Sequence, residues 1–210
     1  MKTRWKVTAF VTALLAVPAV VLVASANGYG PLALRERMVL LSPGEAKGRI
    51  DAALRATMGA VSPPLSYAGA DVDLYRRSDH WDHESSLETN VTGIVRVRTV
   101  VSRAKLPLLM EQVTPAWRAL GSPNVVRADN SAKYPRLLGA GTVGGETSLA
   151  VNAVGSEDSS SYTVTFEAEV FGVLYQPARA YAPMSPLGRT PHDAAGYVVV
   201  DPVDDPYWSH

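Results

Sequence analysis

The densest group of potential metal ligands in this chain is the hexapeptide Asp79–Glu84. It brings His80, Asp82, His83 and Glu84 close together, and imidazole and carboxylate groups bind zinc and other transition metals. The H-x-x-H spacing, in a loop predicted between two strands, differs from the helical spacing of zinc hydrolases. The other two histidines, at 192 and 210, fall in a predicted tail. Two interpretations stay open: a metal-binding protein or metal-dependent hydrolase using these four side chains, and a solvated polar loop, which the sequence favours.

Motifs for nucleophilic catalysis or phosphate binding are weak. The chain has no cysteine and no G-x-S-x-G segment, and the run Ser159–Ser161 falls in a predicted hairpin loop. The glycine-rich segment Gly139–Glu146 lacks the Lys-Ser/Thr ending of a phosphate-binding loop and precedes a strand rather than a helix. The sequence therefore predicts no catalytic residues, no cofactor and no enzymatic activity.

Two surfaces could bind partners. Arg96, Arg98 and Arg103 could form a small basic patch, although charge on a solvated sheet face explains them equally simply. The acidic segment containing Tyr207 and Trp208 either docks into the groove of a partner or folds back onto the domain. Lys and Arg number 20, as do Asp and Glu. This balance does not favour nucleic acid as a partner.

The first 26 residues have the layout of an export signal or a membrane anchor. Lys2, Arg4 and Lys6 precede an apolar run from Val7 to Val23, which ends in Ala24-Ser25-Ala26, a pattern that signal peptidase accepts. No further charge occurs before residue 35, which leaves more than the ~20 residues that span a bilayer. We therefore predict a cleaved signal peptide or an uncleaved anchor. In either case the basic end stays inside, so the protein is a single-pass membrane protein with its C-terminus outside, or is secreted.

The remaining chain must position any functional side chains. Residues 27–41 are interpreted as a linker, and Ser42-Pro43-Gly44-Glu45 predicts a helix with a capping box that ends near Gly59. Leu87–Val101 is predicted as a strand and Ala104–Leu120 as a second helix, with Leu109, Val113 and Trp117 on its buried face.

The clearest strand pattern is Tyr162–Val173, in which apolar and polar residues alternate. One buried and one solvated face is typical of an antiparallel sheet. Further strands are predicted at residues 65–74, 124–128, 135–139 and 147–154. Residues 42–175 thus predict an α+β domain with two helices packed on a mostly antiparallel sheet. Residues 176–210 form a proline-rich C-terminal tail, predicted to lie partly on the domain and partly free, with 197–200 its one strand-like run.

The chain resembles a group of small, uncharacterised exported proteins of the actinobacterial cell envelope, many of them lipoproteins. The likeness covers Arg49–Tyr67 (RIDAALRATMGAVSPPLSY) and Val101–Val126, which includes the segment Trp117–Gly121. Such relatives usually carry a lipid-modified cysteine after the signal, where this chain has Asn27. The resemblance implies an envelope location without lipid anchoring and without an established chemistry.

These observations predict an exported or membrane-tethered envelope protein with a non-enzymatic binding role. Its expected partners are the cell membrane, through residues 7–26 if these stay uncleaved, and an envelope protein. The alternatives are the metal-dependent function described above and a structural extracytoplasmic domain of a membrane complex.

Overall fold

A computed structural model describes residues 40–78, 85–128, 134–141, 147–155, 160–181 and 187–210. They form an α+β fold in which two helices pack on an antiparallel seven-stranded sheet, as predicted. The predicted signal or anchor at residues 1–26 lies outside the described residues. Among the residues that are described, no helix combines the length and the apolar character needed to cross a membrane.

The helices are α1 (Pro43–Gly59) and α2 (Leu106–Ala119), with a short 3-10 helix at Ala178–Ala180, and the strands are β1 (Tyr67–Ser78), β2 (Ser85–Val97), β3 (Val101–Ser102), β4 (Asn124–Ala128), β5 (Arg136–Gly141), β6 (Thr147–Val154) and β7 (Ser161–Leu174). The named strands all pair antiparallel, in the order β1-β2-β7-β6-β5-β4, and β3 pairs with β7 beside this path.

The capping box predicted for α1 is present. The backbone N–H of Ser42 donates to Glu45 Oε2 at 2.9 Å, and the backbone N–H of Glu45 donates to Ser42 Oγ at 3.3 Å. The hydroxyl of Ser42 also donates to the carboxylate, and this bond is the main cause of the lowered pKa of Glu45. The helix ends at Gly59, as the sequence predicts.

Strand β7 confirms the predicted alternation. Phe166 is fully buried and pairs with Val95 of β2 on one side and Val151 of β6 on the other. Its neighbours Thr165 and Glu167 point to the opposite side because successive side chains alternate along a strand. We call the helix-covered side of the sheet the core face and the other side the polar face.

Helix α2 packs on the core face through the predicted stripe. Leu109, Val113 and Trp117 are all fully buried. The indole Nε1 of Trp117 donates to Thr57 Oγ1 at 2.8 Å and so joins the two helices. The same ring lies against Gly139 of β5, where a Cβ would come within 2.7 Å of it.

The sequence predicted a tail lying partly on the domain and partly free, and the described part of it packs on the domain; residues 182–186 lie outside the described residues. Tyr181 and Trp208 are fully buried in the core. Trp208 Nε1 donates to the carbonyl of Pro63 at 2.9 Å. Of the two alternatives for the terminal aromatics, the structure shows the folded-back one for Trp208.

The tail makes single bridges instead of a regular strand. At Ala70 of β1, the backbone N–H donates to the carbonyl of Gly188, and the carbonyl accepts from the backbone N–H of Thr190. The run predicted as strand-like at 197–200 forms one bridge, between Val198 and His192. The backbone groups of this run form hydrogen bonds with nearby residues of the tail, so its sequence need not show the two-residue alternation of a regular strand.

Candidate functional site

A groove of about 670 Å³ lies beside strand β1. This volume is within the range of about 300–1,000 Å³ that is usual for ligand sites. Strands β1 and β2, the 3-10 helix and the tail all contribute to it. Its lining residues are Ala70, Asp71, Val72, Asp73, Arg96, Ala178, Arg179, Arg189, His192 and Val198.

The floor of the groove is an ion pair on the polar face. Asp71 and Asp73 point to this face from β1, since they are two positions apart, and Arg96 joins them from β2. Arg96 Nε donates to Asp71 Oδ2 at 3.0 Å. The Asp71 side chain is only 11 % exposed and the Arg96 side chain is 27 % exposed, so the pair is partly shielded from water. It therefore forms a fixed polar base for the groove.

His192 is held above this floor by the tail. A Cβ at Gly69 would come within 2.6 Å of the Thr190 backbone nitrogen, so the close approach of tail and strand requires glycine. His192 Nδ1 lies 2.7 Å from the carbonyl oxygen of Thr190. A carbonyl only accepts, so Nδ1 carries the hydrogen and Nε2 is left facing Asp71 Oδ1 at 4.0 Å.

Two further guanidinium groups flank the groove. Arg179 projects from the 3-10 helix and Arg189 from the tail, and both are exposed. Neither forms an ion pair or a hydrogen bond with another described residue. Three arginines thus face two carboxylates, Asp71 and Asp73, and one of the three is already neutralised by Asp71. The groove therefore carries a net positive charge from unpaired guanidinium groups.

This arrangement is suited to holding an anion. Guanidinium groups bind carboxylate and phosphate through two parallel hydrogen bonds. The lining residues include no hydroxyl or thiol, so a nucleophile of that kind is not supplied by the described walls. Within the described ranges, no group of three His, Cys, Asp or Glu side chains comes together as a metal site would need.

The residues that the sequence singled out have different outcomes. His80, Asp82, His83 and Glu84 lie outside the described residues, so the metal hypothesis stays a prediction from sequence.

The three arginines of the predicted basic patch each have a different neighbour, and the patch itself stays a prediction. Arg96 lies in the groove, Arg98 Nε donates to the carbonyl of Asp201 at 3.1 Å, and the guanidinium of Arg103 lies 5.9 Å from the ring centre of Tyr162.

Sequence reasoning missed His192, Arg179 and Arg189 as site residues, because it placed them in a tail without fixed neighbours. The Asp-Ala-Ala-Gly-Tyr turn after His192 was a usable signal. Asp193 Oδ1 accepts from the backbone N–H groups of Ala195 and Tyr197 and so folds this segment locally. Comparison of the chain with protein-family models, with curated proteins and with solved structures gave no match in any of the three.

Proposed function

We propose that this chain is an exported or membrane-tethered binding protein of the cell envelope and that its groove binds a small anionic ligand. The observation that carries the proposal is the presence of two guanidinium groups, Arg179 and Arg189, that pair with no other described residue, at a groove of about 670 Å³. The export half of the proposal rests on the basic, apolar and small-residue pattern of residues 1–26.

The groove favours an anion over a cation for two reasons. Arg96 is committed to Asp71, so the groups free to engage a ligand are mostly positive. Asp73 is the one exposed carboxylate in the lining, and it is outnumbered by Arg179 and Arg189. Alanine and valine side chains complete the walls, which suits a ligand with a small apolar part.

Binding can be tested with inorganic phosphate and succinate as probes, titrated into the full-length chain at low ionic strength. Arg179→Gln and Arg189→Gln should each weaken binding by about tenfold or more, because a charge-assisted hydrogen bond is lost. Arg118→Gln, an equal charge change on the outer side of α2, is the matched control and should change affinity less than about twofold. Absence of binding by both probes, or an equal loss in the control, would contradict the proposal.

The location is tested separately by cell fractionation and N-terminal sequencing of the recovered protein. A first residue of Asn27 indicates a cleaved signal, and an intact Met1 in the membrane fraction indicates an anchor. An intact Met1 in the soluble cytoplasmic fraction would overturn the export half and leave the groove unaffected.

A further inference from the structure

The groove follows an edge of the sheet. Strand β1 is the first strand in the sheet order and pairs with β2 on one side. The groove lining includes Ala70 and Val72, which pack toward the core face, and also Asp71 and Asp73, which point to the polar face. A cleft that contacts side chains from both faces of one strand lies along the edge of that strand, so the backbone of β1 is within reach of a ligand.

Backbone groups on this edge are directed toward the groove. The N–H of Ala70 donates to Gly188 and its carbonyl accepts from Thr190, so both groups face away from β2. Because these directions alternate along a strand, the N–H and C=O of Val72 and Leu74 face away from β2 as well. No backbone hydrogen bond from another described residue reaches these four groups. Within the described chain, the tail thus pairs with β1 at Ala70 and with neither of the next two outward-facing residues.

Arg189 is placed to contact the side chains of a strand added at this edge. It is the bridge partner of Ala70, so its side chain leaves the tail on the side of the sheet opposite to Asp71 and Asp73. Like Arg179, it pairs with no other described residue. An acidic side chain on that side of an added strand would therefore meet guanidinium without lying against the two aspartates.

We propose that the ligand of the groove is an extended acidic peptide, a segment of a protein partner, which adds to the sheet as a further strand beside β1. Its backbone pairs with Val72 and Leu74, and its carboxylate side chains engage Arg189 and Arg179. This peptide is the anion of the proposed function, on which the inference rests. A small anion such as succinate would use the guanidinium groups but would leave the strand edge unpaired.

A second copy of this chain fits the edge less well. Outward-facing residues of two β1 strands would pair with one another, so Asp71 and Asp73 of both copies would lie next to one another on one face. Like charges that oppose each other across a strand pair are destabilising. The charge of β1 therefore favours a different partner over self-association.

The test compares peptides on the unaltered full-length chain in lipid nanodiscs, with affinity measured by fluorescence anisotropy and empty nanodiscs as the blank. The probe is a pentapeptide of alternating glutamate and threonine, labelled at its N-terminus and amidated at its C-terminus. We expect it to bind at least about tenfold more tightly than succinate, because backbone hydrogen bonds add to the contacts with guanidinium. The same peptide with lysine in place of glutamate should show no saturable binding.

Two N-methylated peptides separate strand addition from charge attraction alone. One carries a methyl group on the nitrogen of the central glutamate, and the other carries it on the nitrogen of a neighbouring threonine, so their charges are identical. Successive N–H groups of a strand point to opposite edges, and only one of the two faces β1. One isomer should bind about tenfold or more weakly than the parent peptide, and the other within about threefold.

Arg189→Gln should weaken binding of the parent peptide by about tenfold, whereas Arg118→Gln, the control on the outer side of α2, should change it less than about twofold. The peptide comparison uses one unaltered protein, so a folding defect in a variant does not affect it. Equal affinities of the two methylated isomers, or a peptide affinity no higher than that of succinate, would overturn the added strand while leaving anion binding by the groove intact. Failure of phosphate, succinate and the peptide to bind would overturn the proposed function and this inference together.

Discussion

Trp208 should be as costly to truncate as a residue at the centre of the sheet. Its side chain is 0 % exposed and belongs to the same apolar cluster as Trp117 and Phe166. Its indole donates to the carbonyl of Pro63 at 2.9 Å, and its own carbonyl accepts from the backbone N–H of Ser102 at 2.8 Å. Alanine at position 208 therefore removes a large core side chain and leaves the carbonyl of Pro63 without its hydrogen-bond donor.

The magnitude follows from these two losses. Truncating a fully buried aromatic side chain to alanine costs about 3–5 kcal/mol, and a lost hydrogen bond adds about 0.5–1.5 kcal/mol. We expect the free energy of unfolding to fall by about 4–6 kcal/mol in Trp208→Ala, a large part of the total of about 5–15 kcal/mol typical of a domain. Trp208→Phe keeps most of the apolar side chain and loses the N–H, so it should cost about 1–2 kcal/mol.

Tyr207 is the matched control. It is 37 % exposed and stacks edge-on against Trp208, with ring centres 5.0 Å apart. Tyr207→Ala should therefore cost only about 1 kcal/mol. Urea denaturation followed by far-UV circular dichroism gives each value, and an unchanged slope shows that the unfolding reaction is the same. If Trp208→Ala lost less than about 1 kcal/mol, the tail would contribute little to the fold, and burial of Trp208 would not be a main source of stability.

Three other substitutions probe the sheet. Phe166→Ala should lower the free energy of unfolding by about 3–5 kcal/mol in denaturant melts, and a loss below about 1 kcal/mol would contradict the assignment of the core face. Gly139→Ala places a methyl group 2.7 Å from the ring of Trp117 and should destabilise by about 1–3 kcal/mol, so an unchanged or raised Tm would be inconsistent with this contact. Burial is the main cause of the raised pKa of Glu169, whose carboxylate also accepts from Asn90 Nδ2 at 3.2 Å. The folded state therefore holds this proton more tightly than the unfolded state, and the associated stability is complete below the ordinary glutamate pKa of 4.5 and is lost as the pH rises through the raised pKa. Glu169→Gln should be more stable than the parent at neutral pH, with a difference that disappears in acid, and a pH-independent difference between the two melts would count against this explanation.

Regular elements could be predicted because their signals are local. The alternation around Phe166 and the Ser42–Glu45 capping box each depend on residues within a few positions, and both are seen in the structure. The same holds for the stripe of α2 that ends at Trp117, which recurs with the helical period.

The groove and the tail could not be predicted in this way. Pairing of β1 with β2 brings Asp71 and Arg96 together, but His192 joins them only because the tail crosses the edge of β1 at Ala70. That contact leaves no period in the sequence. The prolines of the tail predicted little regular structure, and the described part of the tail contains only the short 3-10 helix at Ala178–Ala180. Irregular structure does not mean that the tail is unpacked, because isolated bridges and the buried indole of Trp208 suffice to hold an irregular segment on the domain.

The contact between Trp208 and Pro63 joins residues 145 positions apart, and it has a consequence for biosynthesis. A ribosome makes the chain from its N-terminus, so the apolar cluster stays incomplete until Trp208 has been added and released. Until then the emerging polypeptide lacks a side chain that we expect to supply several kcal/mol of its stability. For the export that residues 1–26 predict, we expect this late completion to delay closure of the core until the whole chain has been made.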